Sequence, residues 1–280
     1  MESGVETITR NFLSNIVDQR RQRLETAKQS VAPEVMKVLG ERAREDARSH
    51  ALAGALAAEN SINIIAEFKR KSPSKGEIKP GANPEKIARA YESGGAAAVS
   101  VLTEEDYFAG SLDDLRAVRQ AITLPLLRKD FIFEEYQVYE SAAVGADALL
   151  LIVAALDDET LGRLYRITEA ELRMDALVEV HTKEEMGRAL NLGAKVIGVN
   201  NRNLITFEVS LETSMQLAPM ASRDQLLVSE SGIESAEDIA RLGEHGYRGF
   251  LIGETLMRAD DPENALKIFT QGRQDAKDLG

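Results

Sequence analysis

"INIIAEFKRKSPSKG", residues 62–76, begins as a strand-length apolar run and turns ionic before the run has ended. Ile62, Ile64, Ile65 and Ala66 have the character of a buried strand, since branched aliphatic side chains pack well on a pleated surface. Glu67 and Lys69 follow with only Phe68 between them, and Arg70 and Lys71 come next. Residues two apart on a strand point to the same side, so Glu67 and Lys69 project onto the face that Ile65 occupies. A surface salt bridge accounts for two charges, but not for aiming them where an apolar side chain has just been buried. One architecture expects this change. In a parallel barrel the strand interior is core, and functional groups gather at the C-terminal strand ends.

Seven more runs of the same kind follow: "AAAVSVLT", "LPLLRKD", "ADALLLIV", "DALVEV", "AKVIGVN", "QLLVSES" and "YRGFLIG". Helix-like segments separate them. "NPEKIARAYESG" offers Asn83 as a cap, Pro84 in the first turn and Gly94 as a stop, and "SAEDIARLGEHG" repeats that grammar with Ser235, Glu237 and Gly243. Eight β units, each followed by a helix, predict an α/β fold, a closed (β/α)8 TIM barrel. The competing open, doubly wound sheet commonly carries a glycine-rich dinucleotide turn after its first strand, and no G-x-G-x-x-G occurs here. Residues 1–60 precede the first strand and read as helical throughout. Phe12, Leu13, Ile16 and Val17 recur at helical spacing, as do Val35, Val38 and Leu39, while "ERAREDARSH" (41–50) reads as a solvated helix face. The expectation is an N-terminal helical extension (1–60) packed on a barrel (61–280), one domain overall.

Composition narrows the function. The chain has 280 residues, 44% hydrophobic and 29% charged, with a formal net charge of -12. That balance argues against nucleic acid, whose binding is driven by clustered positive charge. "KRKSPSK" (69–75) is a local exception that suits a small anionic substrate. The absence of cysteine excludes disulfides, thiolate metal sites and a cysteine nucleophile. His50, His181 and His245 lie far apart with no carboxylate motif around them, so no metal site is expected. His181 directly follows the fifth strand and reads as a helix-start or supporting residue; His50 and His245 read as structural. "ALLLIVAAL" (148–156) is too short to span a membrane, and "MESGVETITR" lacks the apolar core of a signal peptide, so the cytoplasm is the expected compartment.

If residues 62–76 belong to a site, other strands should end in the same way. "LLRKDF" puts Lys129 two residues beyond Leu127, and "ALVEV" puts Glu179 in register with Leu177. "GVNNRN" supplies Asn200 and then Arg202, and "LVSESG" supplies Glu230 and Ser231. A lone charged residue at a strand end is ordinarily one reaching solvent; five strands ending so point to a ring of acids and bases around the barrel mouth. Such clusters shift pKa values toward those that proton transfer needs. "SESGI" and "LIGETL" close strands seven and eight, where barrels often bind phosphate through backbone amides. Gly232 and Gly253 would let the backbone approach an anion, with Ser72 and Lys69 closing the site from the first loop.

Taken together, "IIAEFKRKSPSKG", "LTEEDYFAGS", "LLRKDF", "ALVEVH", "GVNNRNL", "SESGI" and "LIGETLM" resemble the indole-3-glycerol-phosphate synthase family of tryptophan biosynthesis, in the right order from Ile62 to the eighth strand. The resemblance implies ring closure of 1-(2-carboxyphenylamino)-1-deoxyribulose 5-phosphate with loss of carbon dioxide and water, needing no cofactor and no metal. It implies Lys129 as general acid and Glu179 as acid/base partner in dehydration. Lys69 would hold the substrate carboxylate, and Glu67 and Glu230 would orient the lysines. Asn200, Arg202 and Ser231 would meet the substrate's polar groups. Phe108, Phe131, Leu204 and Leu251 would form the apolar wall, and Ser72, Gly232 and Gly253 would meet phosphate. Glu254 stands where some relatives have serine, which puts a hydroxyl contact there in doubt. The rivals are a non-catalytic ligand-binding barrel and a related phosphate-binding isomerase, whose cysteine/aspartate pair this chain cannot supply. A monomer is expected, with a weak dimer as the alternative.

Overall fold

The computed structural model describes residues 2–59 and 61–271, and for 2–12, 14 and 271 the backbone only. Eight parallel strands close into one barrel: β1 (Asn63–Phe68), β2 (Ala98–Leu102), β3 (Leu126–Lys129), β4 (Ala148–Ile152), β5 (Asp175–Val180), β6 (Val196–Asn200), β7 (Leu226–Glu230) and β8 (Tyr247–Ile252). Each lies within one of the eight apolar runs. Closure is made at β1, where Ile65 pairs with Leu251 of β8 on one side and Ala98 of β2 on the other.

Alternation along the strands divides the core in two. Ile65, Ala98, Leu127, Leu177, Val196 and Val228 pack inside the barrel. Their neighbours Ile64, Val99, Leu126, Val178, Ile197 and Leu227 pack outward against the helices. Leu52 and Leu56, from the helix Ala51–Leu56, join the inner cluster and plug the N-terminal end. Asp175, which begins β5, caps that helix by accepting from the amides of Leu52 (2.8 Å) and Ala53 (3.0 Å).

Local chemistry starts the outer helices. Asn83 Oδ1 accepts from Lys86 N at 2.8 Å ahead of Pro84–Ser93. Ser235 closes a capping box with Asp238 and Glu237 stands in the first turn, as read, but the helix runs on to Glu244 rather than stopping at Gly243. Gly94 keeps a right-handed φ, and it is Gly95, at φ 88°, that turns the chain; a Cβ on Gly94 would come within 3.0 Å of Leu266.

The N-terminal region departs most from expectation. It is three helices, Glu2–Ser30, Pro33–Ala43 and Ala51–Leu56, with a turn between the last two. Ile16 is buried, whereas the side chain of Phe12 lies outside the described residues. Val35, Val38 and Leu39 are exposed; Met36 and Gly40 are the buried face, because the helix lies so close to the one carrying Tyr139 that a Cβ on Gly40 would meet the Tyr139 carbonyl at 2.7 Å. The stretch 41–50 is mostly exposed, as read, but its helix ends at Ala43 and one of its charges turns inward. Arg44 is buried and donates to the carbonyls of Leu172 and Arg48 and to Asp147. His50 has acquired the carboxylates its sequence neighbourhood lacks, with Nδ1 3.3 Å from both Glu169 and Asp175. A two-stranded hairpin, Lys71–Ser72 with Gly76–Glu77, shapes the loop after β1 and has no forerunner in the sequence reading.

Candidate active site

A cavity of about 920 Å³ opens at the C-terminal mouth of the barrel. Every residue singled out from the sequence as a site residue lines it: Glu67, Lys69, Ser72, Phe108, Lys129, Phe131, Glu179, Asn200, Arg202, Leu204, Glu230, Ser231, Gly232, Leu251 and Gly253. The cause is register. Glu67, Lys129, Glu179 and Glu230 each follow an inner-core residue by two positions, so each side chain points along the barrel axis into the mouth.

Lys129 sits at the centre. Its Nζ is 2.8 Å from Glu179 Oε2 and 3.0 Å from Glu230 Oε2, while Lys69 pairs with Glu67. All three glutamates are buried. Burial opposes the Lys129 ammonium, but Glu179 and Glu230 outweigh it and raise its pKa above the usual lysine range. Burial likewise opposes the Glu179 carboxylate, yet Lys129 and His181 hold it well below the usual carboxylate range. Glu230 goes the other way: burial, joined by repulsion from Glu179, overcomes Lys129 and pushes its pKa up. Its Oε1 is buried without a hydrogen-bond partner among the described residues. Two glycines make room for these acids. A Cβ on Gly198 would stand 2.1 Å from Glu230 Oε1, and one on Gly253 2.3 Å from Glu67 Oε1. The space above Gly253 is therefore filled by Glu67, a reason for glycine that the phosphate argument did not contain.

One wall of the cavity is apolar. The rings of Phe108 and Phe131 lie 6.3 Å apart at 40°, with Leu251 and Leu204 in the same lining. At the other end, Ser231 and Gly232 take successive left-handed conformations (φ 65° and 80°), which folds the chain back after β7. Ser231 Oγ donates to Asn200 Oδ1 at 3.0 Å, and that same oxygen accepts from Arg202 N at 3.0 Å. Arg202 Nη1 donates to the Phe207 carbonyl at 3.2 Å. Glu254 lines this end too, tied to Arg258 at 3.0 Å, so a carboxylate–guanidinium pair stands where the family comparison suggested a hydroxyl.

Sequence reasoning missed several contributors. Leu13 and Ile16 of the first helix reach into the lining; their helical spacing reveals a buried face but not the mouth beneath it. Asp130 also lines the cavity, and its carboxylate turns back to a buried network behind β3. There Arg20, 110 positions earlier, donates to it at 2.7 Å and 3.1 Å, and Arg128 at 3.0 Å. His181, read from its position directly after β5 as a helix-start or supporting residue, packs against Glu179 and Glu185 with little exposure.

Comparison with known proteins bears on this geometry. The family model described as indole-3-glycerol phosphate synthase matches residues 13–269. A protein of that name from Carboxydothermus hydrogenoformans is 46% identical over 262 residues, covering 92% of this chain and 99% of that protein. One from Bacteroides thetaiotaomicron is 44% identical, covering 95% and 100%. Among solved structures, the thiamine phosphate pyrophosphorylase from Pyrococcus furiosus superposes with a TM-score of 0.58 at 17% identity, over 81% of this chain and 98% of that one. The likeness to it is one of fold.

Proposed function

The chain belongs to the indole-3-glycerol phosphate synthase family, and we propose how its own residues divide the work of that reaction. The enzyme closes the indole ring of 1-(2-carboxyphenylamino)-1-deoxyribulose 5-phosphate, releasing carbon dioxide and water. An arene attacks a carbonyl slowly unless the oxygen is protonated as charge develops on it. Lys129 is the acid for that step. Held between Glu179 and Glu230, it stays charged in a buried site, which supports the role. Loss of carbon dioxide then restores the aromatic ring with no further group required. Dehydration needs an acid for the leaving hydroxyl and a base for the carbon-bound proton, and Glu179, in contact with Lys129, serves there.

Lys69 binds the substrate carboxylate, with Glu67 orienting its ammonium. Glu230 orients Lys129 from the side opposite Glu179. Phe108, Phe131, Leu204 and Leu251 pack on the anthranilate ring. Asn200, Arg202 and Ser231 meet the sugar hydroxyls. The phosphate lies at Ser72, Gly232 and Gly253, where backbone amides serve whatever Glu254 does. The helical extension and the barrel act as one domain and as a monomer. Among the described residues no helix is long and apolar enough to cross a membrane, and the reaction runs in the cytoplasm.

The observation that carries this reading is the doubly bonded Lys129 ammonium at the base of the mouth. Its test is turnover of the carboxyphenylamino-deoxyribulose phosphate, followed by indole fluorescence, in Lys129→Met and Glu179→Gln. Activity kept by both, in protein with the parental far-UV circular dichroism, ends the assignment.

A further inference from the structure

We propose that His181 is a positioning residue that orients Glu179 and links it, through Glu185, to solvent for the uptake of one proton in each turnover. The inference rests on the acid/base reading of Glu179 given above.

The need for a proton follows from the chemistry. The substrate carries a carboxylate and leaves it behind as neutral carbon dioxide, the electrons of the broken carbon–carbon bond returning to the ring. Oxygen takes up two protons, one at the carbonyl and one at the departing hydroxyl, and carbon gives one back when the indole double bond forms. The balance is one proton drawn from water per cycle. The groups that handle it are buried: Glu179 and Glu230 are 2% and 1% exposed. A protonated acid here has to be reloaded from outside.

His181 stands on the way out. It does not line the cavity, so it acts on the substrate only through Glu179. Glu185 Oε2 accepts from both the His181 backbone amide (2.7 Å) and Nδ1 (3.0 Å). That bidentate hold places the hydrogen on Nδ1 and turns Nε2 toward Glu179 Oε1, 3.4 Å away. Nε2 is buried and has no formed hydrogen bond among the described residues, so nothing competes for it. A small ring rotation closes the gap.

Glu185 sits on the helix Lys183–Leu192, whose first turn faces solvent, and its own side chain is 16% exposed. The line of contacts thus runs from Glu185 on the outer helix through His181 to Glu179, and on to Lys129 in the mouth. Charged groups face the imidazole from both sides: Glu185 from that helix and Glu179 from β5, with Lys129 of β3 and Glu230 of β7 beyond Glu179. Burial disfavours the imidazolium, but the two glutamates outweigh it and raise its pKa to about 9, which keeps a transferable proton on the ring at neutral pH.

The test uses the full chain carrying His181→Ala, His181→Asn or Glu185→Gln. The expected result for His181→Ala is a fall in kcat of about a hundredfold, at the low end of what a positioned proton-transfer group contributes, with KM within about twofold of the parent. Added imidazole should restore kcat saturably. In Glu185→Gln the alkaline limb of the kcat profile should move to lower pH. A His181→Ala protein with parental kcat and pH profile overturns the proposal, and so does a loss that imidazole leaves untouched in folded protein. If His181→Ala does not fold, Glu185→Gln and His181→Asn decide: an unmoved alkaline limb in both overturns it. Glu179→Gln separates the two readings. If Glu179→Gln is inactive and the His181 variants are normal, only the relay falls; if Glu179→Gln is active, the role of Glu179 itself falls.

Discussion

Neighbouring side chains on β3 enter two buried ionic clusters of opposite character. Arg128 points outward and is fully buried; with Arg20 it faces Asp130 and Glu140, two cations for two buried carboxylates, with the part-exposed Glu105 3.8 Å from Arg20 at the edge. Both oxygens of Asp130 are engaged, Oδ1 by Arg20 and the Phe131 amide, Oδ2 by Arg20, Arg128 and Thr103. Lys129 points inward. There two lysines face three glutamates, and one glutamate oxygen has no partner among the described residues. Burial is similar in the two clusters, and balance is what differs. The outer cluster is saturated and can only be weakened by change. The inner one holds an excess acid and a charged amine against solvation, which is the state a proton-transfer site needs before substrate arrives. Removing one partner of a buried ion pair strands the other, so both clusters are sensitive, but in different measurements.

The largest expected effect is on the inner side. Lys129→Met and Glu179→Gln should each lower kcat by a thousandfold or more, roughly 4 kcal/mol of transition-state stabilisation, in protein that keeps the parental far-UV circular dichroism. A loss of turnover no larger than that of an outer-cluster variant would erase the distinction between the two. Next, Arg128→Met should cost about 3–5 kcal/mol in denaturant unfolding, because Asp130 and Glu140 stay buried without it. The folded fraction should retain turnover; inactive yet fully folded protein would show that the clusters work as one.

The third effect concerns pH. His181 has its folded pKa raised from 6.5 to about 9. Its stabilisation is therefore complete below pH 6.5 and lost as pH rises through 9. At about 1.4 kcal/mol per pKa unit this is on the order of 3 kcal/mol. His181→Asn should flatten the stability profile across that window, and a slope unchanged from the parent would contradict the ion pairing with Glu179 and Glu185. The smallest effect belongs to Arg20→Ala, about 1–3 kcal/mol, because Asp130 loses two charge-assisted hydrogen bonds but keeps Arg128, Thr103 and the Phe131 amide. KM should rise as well, because Ile16, which lines the cavity, lies one helical turn before Arg20. Unchanged KM together with lost stability would confine the first helix to a structural part.

The inner cluster was legible in advance and the outer one was not. Lys129, Glu179 and Glu230 each continue a period-two apolar pattern, so the side they face is set by residues two positions away. Asp130 and Arg20 carry no such mark; their pairing spans 110 positions. In the N-terminal helices, periodicity picked out Val35, Val38 and Leu39 as a packed face. The structure buries Met36 and Gly40 instead, because close approach to Tyr139 favours the residue with no side chain over the larger apolar ones. Arg44 looked solvated in a charged run, yet it reaches carbonyls at the barrel's lower end that no local pattern announces.

Alternation within each strand, the caps at Asn83 and Ser235 and the ordered series of strand-end motifs were contained in the chain itself, because a strand's inner face and a helix's first turn depend on residues a few positions apart. Which helix face meets the barrel and which arginine neutralises Asp130 were decided only on closure, when distant segments came within the few ångströms over which buried charges act.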